Sequence, residues 1–387
     1  MALNVVSTDR LSTNVKTSNL ATGLSGKVGK NKNLMINGAF QVAQRASTST
    51  SAGYTTVDRW KDSITGQDEQ PTRAHVTLTS SDTGPWAKGF RNAWQITNGN
   101  QSSGAGAGDK YFLEYRFEAQ DIANSNWDYT SASSYATLSF WVKSSVAQTF
   151  QGYLLTLDGT NYKYPFNTGA LGANTWTKVT KTIPGNSNLQ IDNNADAGFL
   201  IVLAPFIGTD FTDSVSDNAW SAYASGARTN ASASTWWTTN DSTFALTGFQ
   251  FESGETATEF EHRSFGEELY RCQRYYEQFN SEGDAEAMFS AGYFESETVH
   301  KSLLVYVQKR AAPTITFSAA NSFSVINTGA MPAGSSIGTI QVQKKAASIT
   351  ITLGSSISGS DGNAGVLSQV GAGSGTPEAT IKVDAEL

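Results

Sequence analysis

Residues 264–279 read SFGEELYRCQRYYEQF and follow FALTGFQFESGETATEFEHR at 244–263. The first stretch predicts a helix, because Ser264 fits an N-cap and Glu267, three residues later, completes a capping box. Glu267 can also pair with Arg271 one turn further on. An apolar stripe recurs at helical spacing and consists of Phe265, Leu269, Cys272 and Tyr276. This helix divides a chain that otherwise favours β-structure.

The composition of the chain is typical of β-proteins. Its 387 residues are enough for two or three domains. Charged residues make up 16% of the chain, against about 25% in ordinary soluble domains. Glycine is frequent, with 35 residues, and aromatic residues reach 11%. Short strands joined by many turns, with aromatic residues on pleated faces, favour a mostly β fold built as a jelly roll or β-sandwich.

Strand patterns occur on both sides of the helix. Ala136–Lys143 alternates, with Leu138, Phe140 and Val142 on one face, which predicts a half-buried strand. Phe199–Leu203 is a continuous apolar run bounded by glycine and proline, which predicts a central buried strand. Further strands are expected at His75–Thr79, Ala93–Ile96, Tyr111–Phe117, Phe150–Leu157, Trp176–Ile183, Phe244–Phe251, Ser302–Gln308, Thr314–Phe317, Ile337–Val342, Ser348–Leu353 and Thr380–Val383.

Four segments follow from these patterns. Residues 1–33 are polar with scattered apolar positions and cannot fold alone, so we expect either a disordered tail or an extended N-terminal arm that becomes ordered against a partner or against copies of itself. Residues 34–260 are expected to form the jelly-roll β-sandwich, and residues 261–285 a short helical connector. Residues 286–387 are enough for a small C-terminal β-domain.

Charge and hydropathy exclude several classes of function. The net charge of −7 and the isoelectric point of about 5.1 argue against nucleic-acid binding, which needs a basic face. No apolar run is long enough for membrane insertion. The start, MALNVVSTDRLSTNVK, lacks the apolar region of a signal peptide, so we expect no ordinary secretory export. Since Cys272 is the single cysteine, core packing or oligomerisation must stabilise the fold.

Patterns for metal binding or catalysis are absent from the sequence. His75, His262, His300 and Cys272 are too scattered for a zinc site. Residues 192–198 resemble the start of a calcium loop but lack its glycine and its late glutamate. A structural calcium site elsewhere in the sandwich stays an open alternative. No nucleophile elbow occurs, and no carboxylate pair can be selected from sequence alone. We therefore expect no cofactor, no metal, no catalytic residue and no enzymatic activity.

Carbohydrate binding is the positive signal among the candidate chemistries. Four aromatic residues, Trp220, Tyr223, Trp236 and Trp237, lie in a Ser-, Thr- and Asn-rich stretch at 208–243. Exposed aromatic faces stack on sugar rings, and neighbouring amides can bond to sugar hydroxyls. The alternative is that the two adjacent tryptophans pack into a core or a subunit interface.

Two motifs together resemble a known family. The first is NLMINGAF at Asn33–Phe40, followed by YTTVDRW at Tyr54–Trp60; the second is FQFESGETATEFEHR at Phe249–Arg263, leading into CQRYY at Cys272–Tyr276. This pairing resembles bacteriophage tail-fibre and related virion appendage proteins. Similar stretches elsewhere are ATLSFWVKSS at 136–145, VQKRAAPT at 307–314 and IKVDAEL at 381–387. The chain departs from the family pattern at Glu259, where a proline is common.

The resemblance implies a carbohydrate-binding-module-like jelly roll in a homotrimeric fibre that contacts polysaccharide on the host cell surface. It implies docking to other phage tail or virion proteins through residues 1–33, location in the virion tail, and assembly in the host cytoplasm. It supplies no catalytic residues. The motifs themselves predict structural roles: Asn37-Gly38 as a turn, Arg59-Trp60 as a buried anchor, and Glu261–Arg263 as the link to the helix.

Two alternatives stay open at this point. A head fibre or capsid decoration protein would have the same domains with a different docking site. A polysaccharide depolymerase, which is an enzyme, would need an acidic pair in a cleft.

Overall fold

The computed structural model describes residues 32–280, 288–327, 331–370 and 378–387. The predicted arm at 1–33 lies outside these ranges except for its last two residues. Strands before the longer helix are β1 Thr48–Ser49, β2 Trp60–Thr65, β3 Thr72–Thr77, β4 Asn92–Thr97, β5 Lys110–Glu118, β6 Tyr135–Ser144, β7 Thr149–Thr156, β8 Tyr162–Ala170, β9 Thr177–Pro184, β10 Ala197–Ile207, β11 Ser221–Ala222 and β12 Thr243–Ser253.

These strands form two six-stranded sheets, which we call the sandwich. The first sheet has the order β1-β3-β4-β12-β6-β9 and the second the order β11-β8-β7-β10-β5-β2. Neighbouring strands pair antiparallel throughout both sheets. Two one-turn helices accompany them, α1 at Ala119–Ala123 and α2 at Thr235–Thr238. The mostly β sandwich predicted from composition is therefore confirmed.

Aromatic side chains fill the space between the two sheets. Phe140 of the first sheet stacks on Phe249 with ring centroids 4.7 Å apart, and Trp60 of the second lies 4.6 Å from Phe249. Leu138, Phe140 and Val142 are fully buried, as their alternation predicted. β10 lies between β7 and β5, which confirms the central strand expected at Phe199–Leu203. Such close ring packing favours one arrangement of the core over others.

The longer helix, α3, runs over Phe265–Gln273 and is shorter than the sequence predicts. The Ser264 hydroxyl accepts a hydrogen bond from the Glu267 amide at 3.3 Å, and Glu267 pairs with Arg271 at 3.0 Å. The helix was expected to continue to 279, but Tyr276–Asn280 forms strand β13. Aromatic residues favour pleated surfaces, and here the strand gains a partner in the last strand of the chain.

The apolar stripe predicted for this helix is only partly buried. Cys272 is fully buried, whereas Phe265 is 57% exposed. Glu268 is buried instead, because Arg263 lies 3.5 Å from its carboxylate. The buried face of α3 thus combines one small apolar side chain with a paired charge.

Two further sheets follow α3. Their strands are β13 Tyr276–Asn280, β14 Met288–Ser296, β15 Val299–Val305, β16 Thr314–Phe317, β17 Phe323–Ile326, β18 Gly334–Val342, β19 Ala346–Leu353, β20 Ala364–Gln369 and β21 Thr380–Asp384. A three-stranded sheet has the order β13-β21-β16, and the C-terminal sheet has the order β17-β20-β14-β15-β19-β18. One shared core joins them, with Leu304 and Ile349 from the larger sheet and Ile381 from the smaller. The domain boundaries at 33, 260 and 285 stay predictions.

The end of the chain is fastened to the sandwich by buried arginines, an arrangement we call the clamp. Arg59 pairs with Glu386, and its guanidinium lies 3.4 Å from the centre of the Tyr275 ring. Arg45 lies 3.4 Å from the Glu386 carboxylate, and Arg310 donates to the Glu386 carbonyl at 2.6 Å. Burial opposes the charge on Arg59, but Glu386 and the nearby tyrosine hydroxyls together outweigh it and raise the pKa of Arg59. The predicted anchoring role of Arg59 is confirmed.

Candidate functional site

A groove with a volume of 640 Å³ lies where the N-terminal motif, α1, α3 and the segment after β15 meet. Four pieces of chain supply its walls. The lining residues are Asn33, Leu34, Ile36, Gln120, Asp121, Asn124, Tyr270, Arg271, Arg274, Tyr275, Val307 and Gln308. A concavity that gathers several polar groups and one exposed aromatic ring is the usual form of a small-ligand site.

The N-terminal motif forms one wall because it is hydrogen-bonded to β12. The Asn33 side chain donates to the Phe249 carbonyl at 3.0 Å and accepts from the Phe251 amide at 3.1 Å. Arg263 donates to the Met35 carbonyl at 3.0 Å and also bonds to the Asn33 carbonyl. The two motifs that carry the family resemblance are therefore in direct contact, and they hold this wall in place.

The turn after this wall needs the residues found there. Asn37 has a φ of +59°, a conformation that asparagine tolerates better than most residues. Its side chain donates to the Val42 carbonyl at 2.8 Å, and its amide bonds to the buried Glu268 of α3. A Cβ on Gly38 would collide with the Phe249 carbonyl oxygen. The predicted Asn-Gly turn is confirmed, and it couples the wall to the helix.

Behind the opposite wall lies a buried carboxylate, Glu118, whose two oxygens are both hydrogen-bonded. Both oxygens of Glu118 accept hydrogen bonds from Arg274 at 2.7 Å, and the Tyr275 hydroxyl donates to Glu118 at 2.6 Å. Burial opposes ionisation of Glu118, but these hydrogen bonds outweigh it and lower the pKa of its carboxyl. The bond to Glu118 in turn raises the pKa of Arg274. This bidentate pair fixes α3 against α1.

Asp121 is the groove carboxylate that has no partner of this kind. Among the described residues, no hydrogen bond or ion pair reaches its carboxylate. Burial, together with repulsion from Glu118, raises the pKa of Asp121 to about 6. A half-buried acceptor without a donor costs free energy unless water or a ligand donates to it. Asp121 is therefore the groove carboxylate that is available to accept a hydrogen bond from a ligand.

Tyr270 supplies an apolar surface beside these polar groups. It lies on α3 and is 64% exposed, an unusual position for a large aromatic side chain. Gln308 is exposed in the same groove. An aromatic face with an acceptor and amides nearby can stack on a sugar ring and bond to its hydroxyls.

The tryptophan pair proposed from sequence lies elsewhere, inside the sandwich. Trp236 and Trp237 are both 0% exposed. Their indoles donate to the Thr243 carbonyl at 3.1 Å and to the Gly104 carbonyl at 2.9 Å. They lie on the one-turn helix α2, so strand alternation does not apply to them, and Phe244 packs against Trp236 while Phe206 packs against Trp237. In this structure neither ring has a face free to contact a sugar.

Trp220 and Tyr223 are half-buried and lie outside the groove. Trp220 packs 5.2 Å from Tyr164 and donates to the Pro184 carbonyl at 2.7 Å. Tyr223 packs on the outer face of the second sheet, with Arg228 5.9 Å from its ring. Their role in ligand binding stays a prediction. The sequence did not indicate Asp121 as a ligand-binding residue. Asp121 lacks an ion-pair partner in the described part of the chain because Arg274, more than a hundred residues away, pairs with Glu118.

The described ranges offer neither a metal cluster nor a membrane-spanning helix. Residues 32–280, 288–327, 331–370 and 378–387 contain no group of three or more His, Cys, Asp or Glu side chains arranged to hold a metal ion. Across the same ranges, no helix has the length and apolarity to cross a membrane. Burial raises the pKa of the Cys272 thiol well above its usual value, which disfavours the thiolate.

No protein-family model matches the sequence, and no curated protein matches it. The chain is similar to the enzymatically active domain of tailspike protein 4 of bacteriophage CBA120, at 12% identity and a TM-score of 0.31, over 58% of this chain and 22% of that one. It therefore spans about a fifth of the length of the tailspike structure.

Two carbohydrate-binding structures are also similar. One is the N-terminal cellulose-binding domain of Cellulomonas fimi β-1,4-glucanase C, at 12% identity and a TM-score of 0.27, over 56% of this chain and 99% of that one. The other is the CBM22-1 xylan-binding domain of Paenibacillus barcinonensis Xyn10C, at 12% identity and a TM-score of 0.25, over 54% and 94%.

Proposed function

We propose that the chain is a non-enzymatic glycan-binding protein and that the groove holds its ligand. The observation that carries this proposal is the unpartnered Asp121 carboxylate, set in the 640 Å³ groove that Tyr270 also lines. Sugar hydroxyls would donate to Asp121, and one ring face would lie on Tyr270. Several copies in one particle would offset weak binding at a single groove.

The groove also supports binding rather than hydrolysis. Glycoside hydrolysis uses two carboxyl groups on either side of the bond that is cut. Glu118 is the other carboxylate near Asp121, and it is fully buried with both oxygens bonded to Arg274. That leaves Asp121 alone to face a ligand, and a depolymerase is accordingly the weaker proposal.

Direct binding tests the proposal. Purified bacterial capsules and lipopolysaccharides would be screened against the protein by biolayer interferometry, and polymer size would be followed by gel filtration. We expect binding of at least one polysaccharide with no fall in its size. Tyr270→Ala should weaken binding about two- to tenfold, since stacked rings contribute roughly 0.5–1.5 kcal/mol beyond their buried area. Tyr293→Ala is the matched control, because Tyr293 is 52% exposed on the C-terminal sheet.

Three outcomes would contradict the proposal. Absence of binding across the panel would overturn glycan recognition. Unchanged binding by Tyr270→Ala would place the site outside the groove. Shortened polymer would favour the depolymerase.

We further propose that the protein is part of a phage virion, as a homotrimeric tail fibre that docks through its N-terminus. The motif resemblance supports this, as do exposed apolar side chains on the C-terminal sheet that a trimer could cover, among them Leu303 and Val305. Asn33 bridges Phe249 and Phe251, so a deletion that tests docking should stop at residue 31. The shortened protein should fold yet be missing from purified particles. Reconstruction of the intact particle would separate a tail fibre from a head fibre.

A further inference from the structure

A second pocket, with a volume of 160 Å³, opens on the outer face of the first sheet and is separate from the groove. Pockets for drug-sized ligands are larger, at about 300–1,000 Å³. This one suits a single small ring. We call it the bulge pocket, because an irregularity in β12 forms its floor.

The irregularity is a β-bulge between β12 and β6. Thr247 pairs with Trp141 and Gln250 pairs with Ser139, so β12 has one more residue than its partner in this interval. Gly248 within it has a φ of +67°, and a Cβ there would lie 2.7 Å from the Phe90 ring. The position therefore requires glycine, and the bulge opens a depression in an otherwise regular sheet.

Three aromatic rings form one wall of the bulge pocket. Phe90 and Phe260 have ring centroids 4.8 Å apart, and His262 lies 5.0 Å from Phe90. The imidazole of His262 is held by a 2.8 Å hydrogen bond to the Lys88 carbonyl. This wall is apolar and fixed, as a surface for one face of a sugar ring would be.

Two polar groups in the bulge pocket have no partner. Ser139 is 3% exposed, and its hydroxyl makes no hydrogen bond to any residue in the described ranges. Lys178 is exposed on the adjacent strand, directly opposite Trp141 in register. Within the same ranges its ammonium makes no ion pair. Lys88, the other lysine at the rim, is already paired with Glu259 at 3.4 Å.

We propose that the bulge pocket binds one acidic sugar residue, a pyranose that carries a carboxylate. The carboxylate would pair with Lys178, a ring hydroxyl would bond to Ser139, and the ring face would lie against Phe260. This site does not depend on the groove, and it gives the protein selectivity for charged polysaccharides over neutral ones. A neutral sugar would leave the ammonium unused, whereas an acidic sugar gains a charge-assisted hydrogen bond.

Ligand-observed saturation-transfer NMR on the full chain tests this site with two probes, methyl β-glucuronide and methyl β-glucoside. We expect the glucuronide to bind about tenfold more tightly, the ratio that corresponds to one charge-assisted hydrogen bond. Lys178→Met should reduce glucuronide affinity to that of the glucoside and leave the glucoside unchanged. Lys382→Met is the matched control, because Lys382 is also an exposed lysine on a strand, in the three-stranded sheet.

Several results would overturn the site. Equal affinity for the two probes would show that the carboxylate does not contribute to binding. Failure of both probes to bind would show that the pocket is not a sugar site. Loss of the glucuronide signal in Tyr270→Ala would place the bound sugar in the groove instead. Ser139→Ala should weaken both probes to a similar extent, and an unchanged affinity would contradict the predicted ring position.

Discussion

The sandwich and the C-terminal sheet contain similar strands but cover their faces differently. In the sandwich, the outer face of the second sheet carries Phe112, Tyr153 and Val202, and all three are buried beneath the segment that contains Phe211 and Tyr223. The C-terminal sheet has one face in the core that it shares with the three-stranded sheet. Its other face exposes large apolar side chains: Tyr293 at 52%, Leu303 at 57% and Val305 at 66%.

This difference shows that strand composition does not determine which faces are covered. Leu303 and Leu304 are neighbours on β15, yet Leu304 is 1% exposed. In the sandwich, long connections return over the sheets and complete the burial. An open apolar face on a sheet is typical of interaction surfaces, which is why we propose the C-terminal sheet as the contact of the proposed trimer.

Core truncation gives the largest expected contrast between the two regions. Phe249→Ala removes a ring that packs on Phe140 and Trp60, so it should lower the free energy of unfolding by about 3–5 kcal/mol. Tyr293→Ala, on the exposed face, should change it by less than about 0.5 kcal/mol when the protein is diluted to the monomer. Urea unfolding of monomeric samples measures both. Comparable losses in the monomer would mean that Tyr293 packs within its own chain.

Opening the clamp tests whether the two regions depend on each other. Arg59→Met leaves the buried Glu386 carboxylate with Arg45 at 3.4 Å as its remaining side-chain ion pair. The expected loss is about 3 kcal/mol, the low end for breaking a buried ion pair. We also expect thermal unfolding to separate into two transitions.

Glu386→Gln, alone and combined with Arg59→Met, provides the control for the clamp. Part of the loss should be recovered in the double variant, because the uncompensated charge is gone. Strict additivity of the two single changes would mean that Arg59 and Glu386 are not coupled.

The junction between the two regions should also respond to pH. Burial raises the pKa of Asp58, which contacts Arg45, to about 6. The native state then holds this proton more tightly than the unfolded chain, so the contribution of Asp58 is largest below about pH 4 and is lost as pH rises through 6. Between pH 4 and 7, the unfolding free energy of Asp58→Asn relative to wild type should rise by at most about 3 kcal/mol.

Asp82 is the control, because its pKa is shifted in the opposite direction to that of Asp58. Although burial opposes its ionisation, hydrogen bonds from Lys143 and the Thr79 amide lower the pKa of Asp82 to about 2. Its contribution is present above about pH 4 and is lost only as pH falls through 2. Asp82→Asn should therefore show a constant difference from wild type between pH 4 and 7. If Asp58→Asn also differed from wild type by a constant unfolding free energy between pH 4 and 7, the raised pKa of Asp58 would be contradicted.

Charge on the open face should have the smallest effect on folding and a clear effect on assembly. The double variant Leu303→Asp, Val305→Asp should keep its free energy of unfolding within about 0.5 kcal/mol once both samples are monomeric. Light scattering should show a trimer for wild type and a monomer for the variant. Thr180→Asp, on an exposed strand position of the sandwich, should stay trimeric. A monomeric wild-type protein would contradict the proposed trimer.

Local patterns in the sequence predicted much of the fold because their causes are local. The alternation in Ala136–Lys143, the Ser264 cap and the Asn37-Gly38 turn depend on residues a few positions apart, and all three occur as expected. The same reasoning placed the helix end too late, since Tyr276–Asn280 is decided by pairing with β21, about a hundred residues away.

The sequence by itself determined a β-rich chain with a capped helix, because strand periodicity, turns and caps are short-range. Only the tertiary structure decided which groups face a ligand. Trp236 and Trp237 are buried by strands from both sheets, whereas Asp121 lacks a partner because Arg274 is held by Glu118. Burial and charge pairing are sums over distant neighbours, and those neighbours are adjacent only after the chain has folded.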